Sequence, residues 1–348
     1  MPLGGKAIYF VLTIPLISTL AYLVSNSHYY ADVLAKFRPP VLDENNAASQ
    51  WWIDFLNHLE DTRVRAPPPA IDGRAPPKNW PPKPDAKRPE LLVMSKEDED
   101  KWRESHSSFV SKLAHFAESL QDLYQPGTTG IVTTAGRPNF GQVISLVLMA
   151  RQAGSQLPIQ VILDSSEAWI EYVCDNIFPR YNVTCVELKD VWADVCPFVP
   201  KLEFQRFQWK SLSILASTFQ NVLFLDSDAL PVLNPDPIFD TGAEPFTSTG
   251  FISWPDFWTQ SASSAFFSIA GDVEVPPLTS RTTSESGVMV YDKARHADTL
   301  LLAAYYNFNG PVHYYPLTTQ HGPGEGDKET FFLAALVLEA LEKVKYTY

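Results

Sequence analysis

Val222-Leu223-Phe224-Leu225-Asp226-Ser227-Asp228 joins four consecutive apolar residues to a polar triplet with two carboxylates. Unbroken apolarity over four positions, without alternation, is the pattern of a strand buried on both faces. Reading towards the N-terminus, Glu203–Phe219 has the character of a helix and Val183–Leu188 of a strand. Trp169, Ile170, Val173 and Ile177 recur at helical spacing, and Ile159–Leu163 is a strand ending at Asp164. Phe140, Val143, Ile144, Val147 and Leu148 mark the buried face of a helix after Pro138, and Gly130-Ile131-Val132-Thr133 begins a strand. Strands alternating with helices imply an α/β fold: right-handed crossovers and a mostly parallel sheet, with ligands gathering at the carboxyl ends of the strands.

The Asp-x-Asp spacing says little by itself, because the 22 Asp of this chain yield about 1.4 such triplets by chance, and Asp98-Glu99-Asp100 is a second one. Position separates them. Asp98 and Asp100 fall in a charged helix start, where the helix dipole favours acids. Asp226 and Asp228 follow a buried strand, where two neighbouring carboxylates are costly unless a cation or donors compensate. Hard oxygen ligands there suit Mg²⁺ or Mn²⁺ on a diphosphate. An Asx-type turn capping the strand is the alternative.

Composition agrees with a folded protein: 348 residues, 19% charged and 13% aromatic, allow one large domain with accessory segments. Of the net charge of −13, most resides in residues 127–348, with 13 Lys/Arg against 24 Asp/Glu. Such a surface repels phosphate backbones, so no nucleic-acid partner is expected. Cys174, Cys185 and Cys196 form no CxxC or zinc-ligand spacing. An oxidising compartment would permit one pair plus one free thiol, with all three pairings open.

Residues 7–24, AIYFVLTIPLISTLAYLV, are eighteen residues of mainly apolar character and span about 27 Å as a helix, enough for a thin bilayer. The run exceeds the usual h-region of a cleaved signal peptide, the competing reading. An uncleaved anchor with residues 1–6 in the cytosol is expected. Residues 66–90 hold nine of the 29 prolines, so residues 25–94 are expected to form an extended, polyproline-like stem, or else to include a ligand for an SH3-like module. Ser95 with Asp98 resembles a capping box, and Phe109, Leu113, Phe116, Leu120 and Leu123 give residues 95–126 one apolar helical stripe.

Phe224-Leu225-Asp226-Ser227-Asp228 with Pro231-Val232-Leu233-Asn234-Pro235 resembles the fungal Golgi α-mannosyltransferases that add α-1,2- or α-1,3-linked mannose to mannan side chains. Gly130-Ile131-Val132-Thr133-Thr134-Ala135-Gly136, Glu285-Ser286-Gly287 and Gly326-Asp327-Lys328-Glu329-Thr330 extend the resemblance over residues 127–342. It implies a GT-A type catalytic domain over 127–348, GDP-mannose as donor, Mn²⁺ (or Mg²⁺) as cofactor, and retention of anomeric configuration. The acceptor implied is a glycan or mannan, and the setting a Golgi membrane held by a single N-terminal helix with the domain in the lumen. Asp226 and Asp228 are then the metal ligands. Thr133, Thr134, Arg137, Asp164 and Lys210 are candidates to meet the nucleotide and its phosphates. Glu285 and Asp327 are the candidate catalytic carboxylates near the sugar, although Asp327 also suits an ordinary N-cap before the apolar helix Phe331–Leu341. Gly322, Gly324 and Gly326 fit an acceptor-side loop.

One departure concerns the metal. The chain stops 21 residues after Asp327, whereas enzymes resembling it continue into a strand that delivers a His ligand. His313 and His321 precede the motif. Either water and diphosphate complete the metal shell, or the chain is a shortened product. The second functional reading is accordingly a weak or inactive glycan-binding subunit of a mannosyltransferase complex. Asn182-Val183-Thr184 is an N-glycosylation sequon that would report a luminal domain.

Overall fold

The apolar run heading the polar triplet is the fourth of six strands in one mixed sheet. Its strands are β1 Gln125–Ala135, β2 Ile159–Leu163, β3 Val183–Glu187, β4 Phe219–Leu225, β5 Phe251–Thr259 and β6 Thr282–Asp292, in spatial order β3-β2-β1-β4-β6-β5. The first four are mutually parallel, and β6 runs against both β4 and β5. The expected mostly parallel α/β sheet is present. The chain steps outward from β1 to β3 and then returns to place β4 on the other side of β1, which makes the β1/β4 carboxyl ends the switch point where ligands settle in open α/β sheets.

The structure, a computed structural model, describes residues 47–188, 202 and 204–342. The expected membrane anchor at 7–24, the tail before it, and Cys196 lie outside the described residues, as does Glu203, the first residue of an expected helix. Among the described residues no helix is long and apolar enough to cross a membrane.

Strand alternation divides the core. In β4, Val222 and Phe224 join one apolar cluster while Leu223 and Leu225 join the other. The second face is covered by α4, Phe140–Gln152, through Phe140, Val143 and Val147, with Leu148 left exposed. A disulfide between Cys174 and Cys185 ties the segment after β2 to β3 and decides the pairing that the sequence left open. The larger face is covered by α1 Ala47–Asp61, α2 Lys96–Val110, α3 Leu113–Ser119, α5 Gln208–Ala216, α6 Ala297–Phe308 and α7 Lys328–Glu342.

Two sequence expectations change here. The single helix after Ser95 is broken at residues 111–112, yet its stripe survives: Phe109, Leu113, Phe116, Leu120 and Leu123 are all buried. Ser95 does cap α2, accepting from the Asp98 N–H at 3.1 Å. The stem expected over residues 25–94 is, from residue 47 onward, part of the body. Trp51, Trp52, Phe55 and Leu59 of α1 are buried in the core. The proline-rich stretch is strapped down by Arg88, which donates to the carbonyls of Ala262 at 2.9 Å and Pro276 at 2.7 Å. Trp80 and Lys78 exchange backbone hydrogen bonds with Phe257 and Thr259 of β5, which covers the exposed edge of the sheet. Prolines suit that position because an edge neighbour need donate only intermittently.

Candidate active site

At the carboxyl end of β4 the chain turns through Asp226-Ser227-Asp228, and the middle residue anchors the turn. Ser227 is buried; its Oγ accepts from Asn139 Nδ2 at 2.9 Å and donates to Gln142 Oε1 at 3.2 Å. Asn139 also accepts the Gly136 N–H at 2.7 Å. The loops after β1 and β4 are thereby bolted together across the switch point. Asn139 and Gln142 carry no motif of their own; only their place at the N-terminal end of α4 after Pro138 marks them.

With Ser227 turned inward, the flanking carboxylates turn elsewhere. Asp228 is exposed. Asp226 is half-buried, and its Oδ2 lies 3.1 Å from Nζ of Lys210. Lys210 belongs to α5 and is buried, its ammonium also 2.9 Å from Asp327 Oδ2 and donating to the Ser286 carbonyl at 2.9 Å. Ser286 Oγ lies 3.3 Å from the same Asp327 oxygen. Four elements therefore meet at one ammonium. Burial works to depress Lys210, but Asp327 and then Asp226 outweigh it and hold the ammonium above its ordinary pKa. Burial also pushes the Asp226 carboxyl up; Lys210 opposes that and Asp327 reinforces it, with a net upward shift.

Glu285 stands beside this cluster on β6, its Oε1 accepting the N–H groups of Ser286 at 2.9 Å and Gly287 at 2.7 Å. A Cβ on Gly287 would lie 3.0 Å from Glu285 Oε1 and 3.2 Å from Asp226 Oδ2, so these two carboxylates face each other across a residue that must be small. Asp226 itself donates its N–H to the Gly287 carbonyl at 2.7 Å.

The remaining candidates divide. Arg137 and Asp164 stand at the carboxyl ends of β1 and β2, on the same edge of the sheet as Asp226. Arg137 is exposed and donates to the Glu167 carbonyl at 3.0 Å. Asp164 abuts the first loop so closely that a Cβ on Gly136 would come within 2.6 Å of its Oδ2. Thr134 is half-buried. Thr133 is a correction: it is completely buried, on the α4 face of β1 with Ile131 and Ala135, and so is a core residue rather than a nucleotide contact. Lys210 is corrected as well, from a phosphate-reaching side chain to the buried tie between Asp226 and Asp327. Asp327 is not the ordinary N-cap; its carboxylate goes to Lys210, and Thr330 donates through Oγ1 to the Asp327 carbonyl at 2.6 Å.

The residues after Asp327 hold partners that spacing did not suggest. Lys328 pairs with Asp256 of β5, and Glu329 takes Arg281 at 2.6 Å and the Ser284 N–H at 2.6 Å. Gly324 allows this, since a Cβ there would collide with the Lys328 side chain at 2.2 Å. Burial by itself raises the Glu329 carboxyl, but Arg281 and Ser284 outweigh it and leave it below its ordinary value.

Two hard carboxylates at a strand end fit part of the shell of Mg²⁺ or Mn²⁺. Among the described residues no group of three or more His, Cys, Asp or Glu side chains is gathered to hold a metal alone, so diphosphate and water oxygens would supply the other ligands. His313 Nε2 donates to the Ala66 carbonyl at 3.0 Å, and His321 pairs with Glu325 at 2.8 Å; neither joins the cluster. Asn182 of the sequon is buried with a left-handed φ of 54°, so it is a poor reporter of topology in the folded chain.

Fold and site together define an α/β protein with an acid-rich centre at a topological switch point, tied by one buried lysine. The chain belongs to the mannosyltransferase family: the profile described as "Mannosyltransferase putative" matches residues 128–283 and 277–347. Similar relatives include alpha-1,2-mannosyltransferase MNN21 of Candida albicans, 34% identical over 289 residues, 72% of this chain and 43% of that protein. Alpha-1,2-mannosyltransferase MNN2 of Saccharomyces cerevisiae is 30% identical over 70% of this chain and 45% of its own length. MNN5 of the same yeast is 31% identical over 70% of this chain and 50% of its own. The chain spans about half the length of the curated relatives it matches. Among solved structures, the glycosyltransferase GlyE of Streptococcus pneumoniae is similar at a TM-score of 0.36 and 14% identity, over 64% of this chain and 45% of that one.

Proposed function

We propose that this chain transfers mannose from GDP-mannose to an α-mannoside of a protein-linked glycan, in α-1,2 linkage and with retention, through a GT-A type domain. The observation that supports it most is the centre at the β1/β4 switch point, where Asp226 and Asp327 share the Lys210 ammonium and Glu285 and the exposed Asp228 stand next to Asp226. Four carboxylates against one lysine leave negative charge that a divalent metal and its diphosphate-bound sugar would balance. Bound by Asp226 and Asp228, Mn²⁺ or Mg²⁺ would act as a Lewis acid towards the departing diphosphate.

The protein's own groups do the positioning. Lys210 fixes Oδ2 of Asp226 at 3.1 Å. Arg137, Thr134 and Asp164 line the nucleotide side of the same sheet edge, with Arg137 suited to a phosphate. Glu285, held by two backbone N–H groups, keeps a carboxylate against positive charge that develops on the sugar. The bond from the anomeric carbon to the diphosphate breaks, the acceptor oxygen forms the new one, and the acceptor proton leaves with the diphosphate. The Cys174–Cys185 bridge fits an oxidising lumen, in keeping with a Golgi location behind a 7–24 anchor. A protease that digests residues 127–348 from the cytosolic side of intact membranes would overturn that location.

The deciding measurement is transfer from GDP-mannose to an α-mannoside by the full chain, with Mn²⁺ and with EDTA. Transfer with Mn²⁺ and none with EDTA is expected; undiminished transfer in EDTA removes the metal role. Mannoside binding without any donor turnover would favour the glycan-binding subunit instead. Because Asp228 is exposed, Asp228→Asn should shift metal-free stability by no more than about 0.5 kcal/mol. It should abolish the extra thermal stability conferred by Mn²⁺ plus GDP. Equal melting of variant and parent with the ligands present would show Asp228 to be only a turn residue.

A further inference from the structure

β5 and β6 outrun their neighbours. Pro255 pairs with Ser284 and Thr259 with Thr282, whereas β4 stops opposite Val288, so the two strands project as a ribbon past the end of β4 where Asp226 stands, with Glu285 on the ribbon itself. Between this ribbon and α7 lies a cavity of about 430 Å³. Ser253, Trp254, Arg281, Ser284, Phe332 and Leu336 are among its lining residues.

We propose that this cavity is the acceptor subsite, holding a neutral hexopyranoside of the glycan with one apolar ring face against Trp254. The proposal rests on the transferase reading and adds to it the place and chemistry of the acceptor. Three observations carry it. First, the lining is aromatic and aliphatic with hydroxyls and one guanidinium, and the carboxylates nearest it are already committed, Glu329 to Arg281 and Ser284. A pyranoside matches that mixture, with C–H groups on its face and hydroxyls round its rim, whereas a phosphate or an acid would meet too little unpaired positive charge. Second, Trp254 is 36% exposed although large, so an aromatic surface is presented and not packed away. Arg281, stacked 3.8 Å over the Phe332 ring, keeps a buried Nε–H without a hydrogen-bond partner at this wall. Third, the cavity adjoins the chemistry through the backbone: Ser284 is followed by Glu285, and Ser253 donates to the Glu285 carbonyl at 2.9 Å. A sugar seated on the ribbon would approach the carboxylate centre from the side opposite the nucleotide loops of β1 and β2.

The test is titration of the full chain with an α-linked mannobiose, followed by ligand-observed NMR or calorimetry, with and without GDP and Mn²⁺. Trp254→Ala should weaken binding about tenfold, as expected for loss of one stacked aromatic ring, and Trp254→Tyr should restore most of it. Leu336→Trp, which fills the cavity from α7, should also weaken it. Trp254 is exposed and Leu336 half-buried, so cooperative melting of each variant checks that the fold is kept. Equal mannobiose affinity in parent, Trp254→Ala and Leu336→Trp overturns the subsite, and so does absence of mannobiose binding in the parent under both conditions. Donor stabilisation is read separately: a melting shift with GDP-mannose and Mn²⁺ alongside absent mannobiose binding sinks the subsite alone, whereas mannobiose binding without any donor shift supports the subsite and counts against the transferase.

Discussion

Lys210 and Asp327 show how far a residue's role depends on what surrounds it. Each side chain is only 6% exposed, and the pair is held together at a place where an unpaired charge is strongly disfavoured. Lys210→Met should therefore cost about 3–5 kcal/mol of unfolding free energy, because it leaves a buried carboxylate without its partner. Urea denaturation of parent and variant reads this directly, and a loss below about 1 kcal/mol would mean that Asp327 does not depend on Lys210 for its place in the fold. Glu329 gives the pH counterpart. Its folded pKa is lowered from 4.5, so between folded and unfolded values the unfolded chain binds more protons. The stabilisation is complete above pH 4.5 and disappears as pH falls through the lowered value. Glu329→Gln should be less stable than the parent at neutral pH and should show a flatter stability profile between about pH 6 and about pH 3. Parallel profiles would remove Glu329 from the acid response.

Among the elements, β1 and β4 set the position of the site, and their contact is closer than a generic strand pair allows. Gly130 pairs with Val222, and the Phe219 ring lies where a side chain on Gly130 would be, 2.3 Å from its Cβ position. Gly130→Ala should destabilise by about 1–3 kcal/mol through overpacking, with partial recovery in Gly130→Ala/Phe219→Leu, measured as a double-mutant cycle. Additive effects would place the strain elsewhere. The four parallel strands were legible from apolar runs between turn residues, and Ile159–Leu163 begins and ends where the pattern says; β5 and β6, interrupted by Ser, Thr, Pro and Asp, were not anticipated. The helix after β2 was less legible: a 3-10 turn at Ser166–Ala168 precedes Trp169, and Tyr172–Ile177 forms a π-helical turn, next to the Cys174–Cys185 bridge to β3, a link that the spacing alone cannot show.

For the whole molecule, the main change from the linear reading is that residues 47–123 complete the core. Trp52, Phe55, Trp102 and Phe109 are each at most 1% exposed. Trp102 packs edge-on against His313, and Phe109 stacks on Tyr305 of α6 at 4.4 Å. A chain begun at Pro126 would bare the outer face of α6 to water. Residues 47–342 should melt cooperatively, whereas 126–342 should aggregate or melt without a sharp transition, as followed by circular dichroism and light scattering. Cooperative melting of both at the same temperature would restore the view of an independent stem. Mutation of one buried tryptophan, Trp52→Ala, should already cost about 3–5 kcal/mol.

Local pattern determined the strand order in sequence, the alternation with helices, the polar turn after Leu225 and the stripe from Phe109 to Leu123, because hydrophobic periodicity and turn chemistry act over a few residues. It also marked Asp226, which ends an apolar run, whereas Glu285 and Asp327 were marked only by the family resemblance of the motifs that hold them. Folding decided which of the marked residues meet. Lys210, Asp226, Ser286 and Asp327 span 117 positions of the chain and converge only because β6 pairs with β4 while α5 and α7 pack on the same face of the sheet. Folding also put Thr133 inside and Asp228 outside, and bound the proline-rich arm to the edge of β5. Those outcomes depend on pairing register and long-range burial, which no local window of sequence contains.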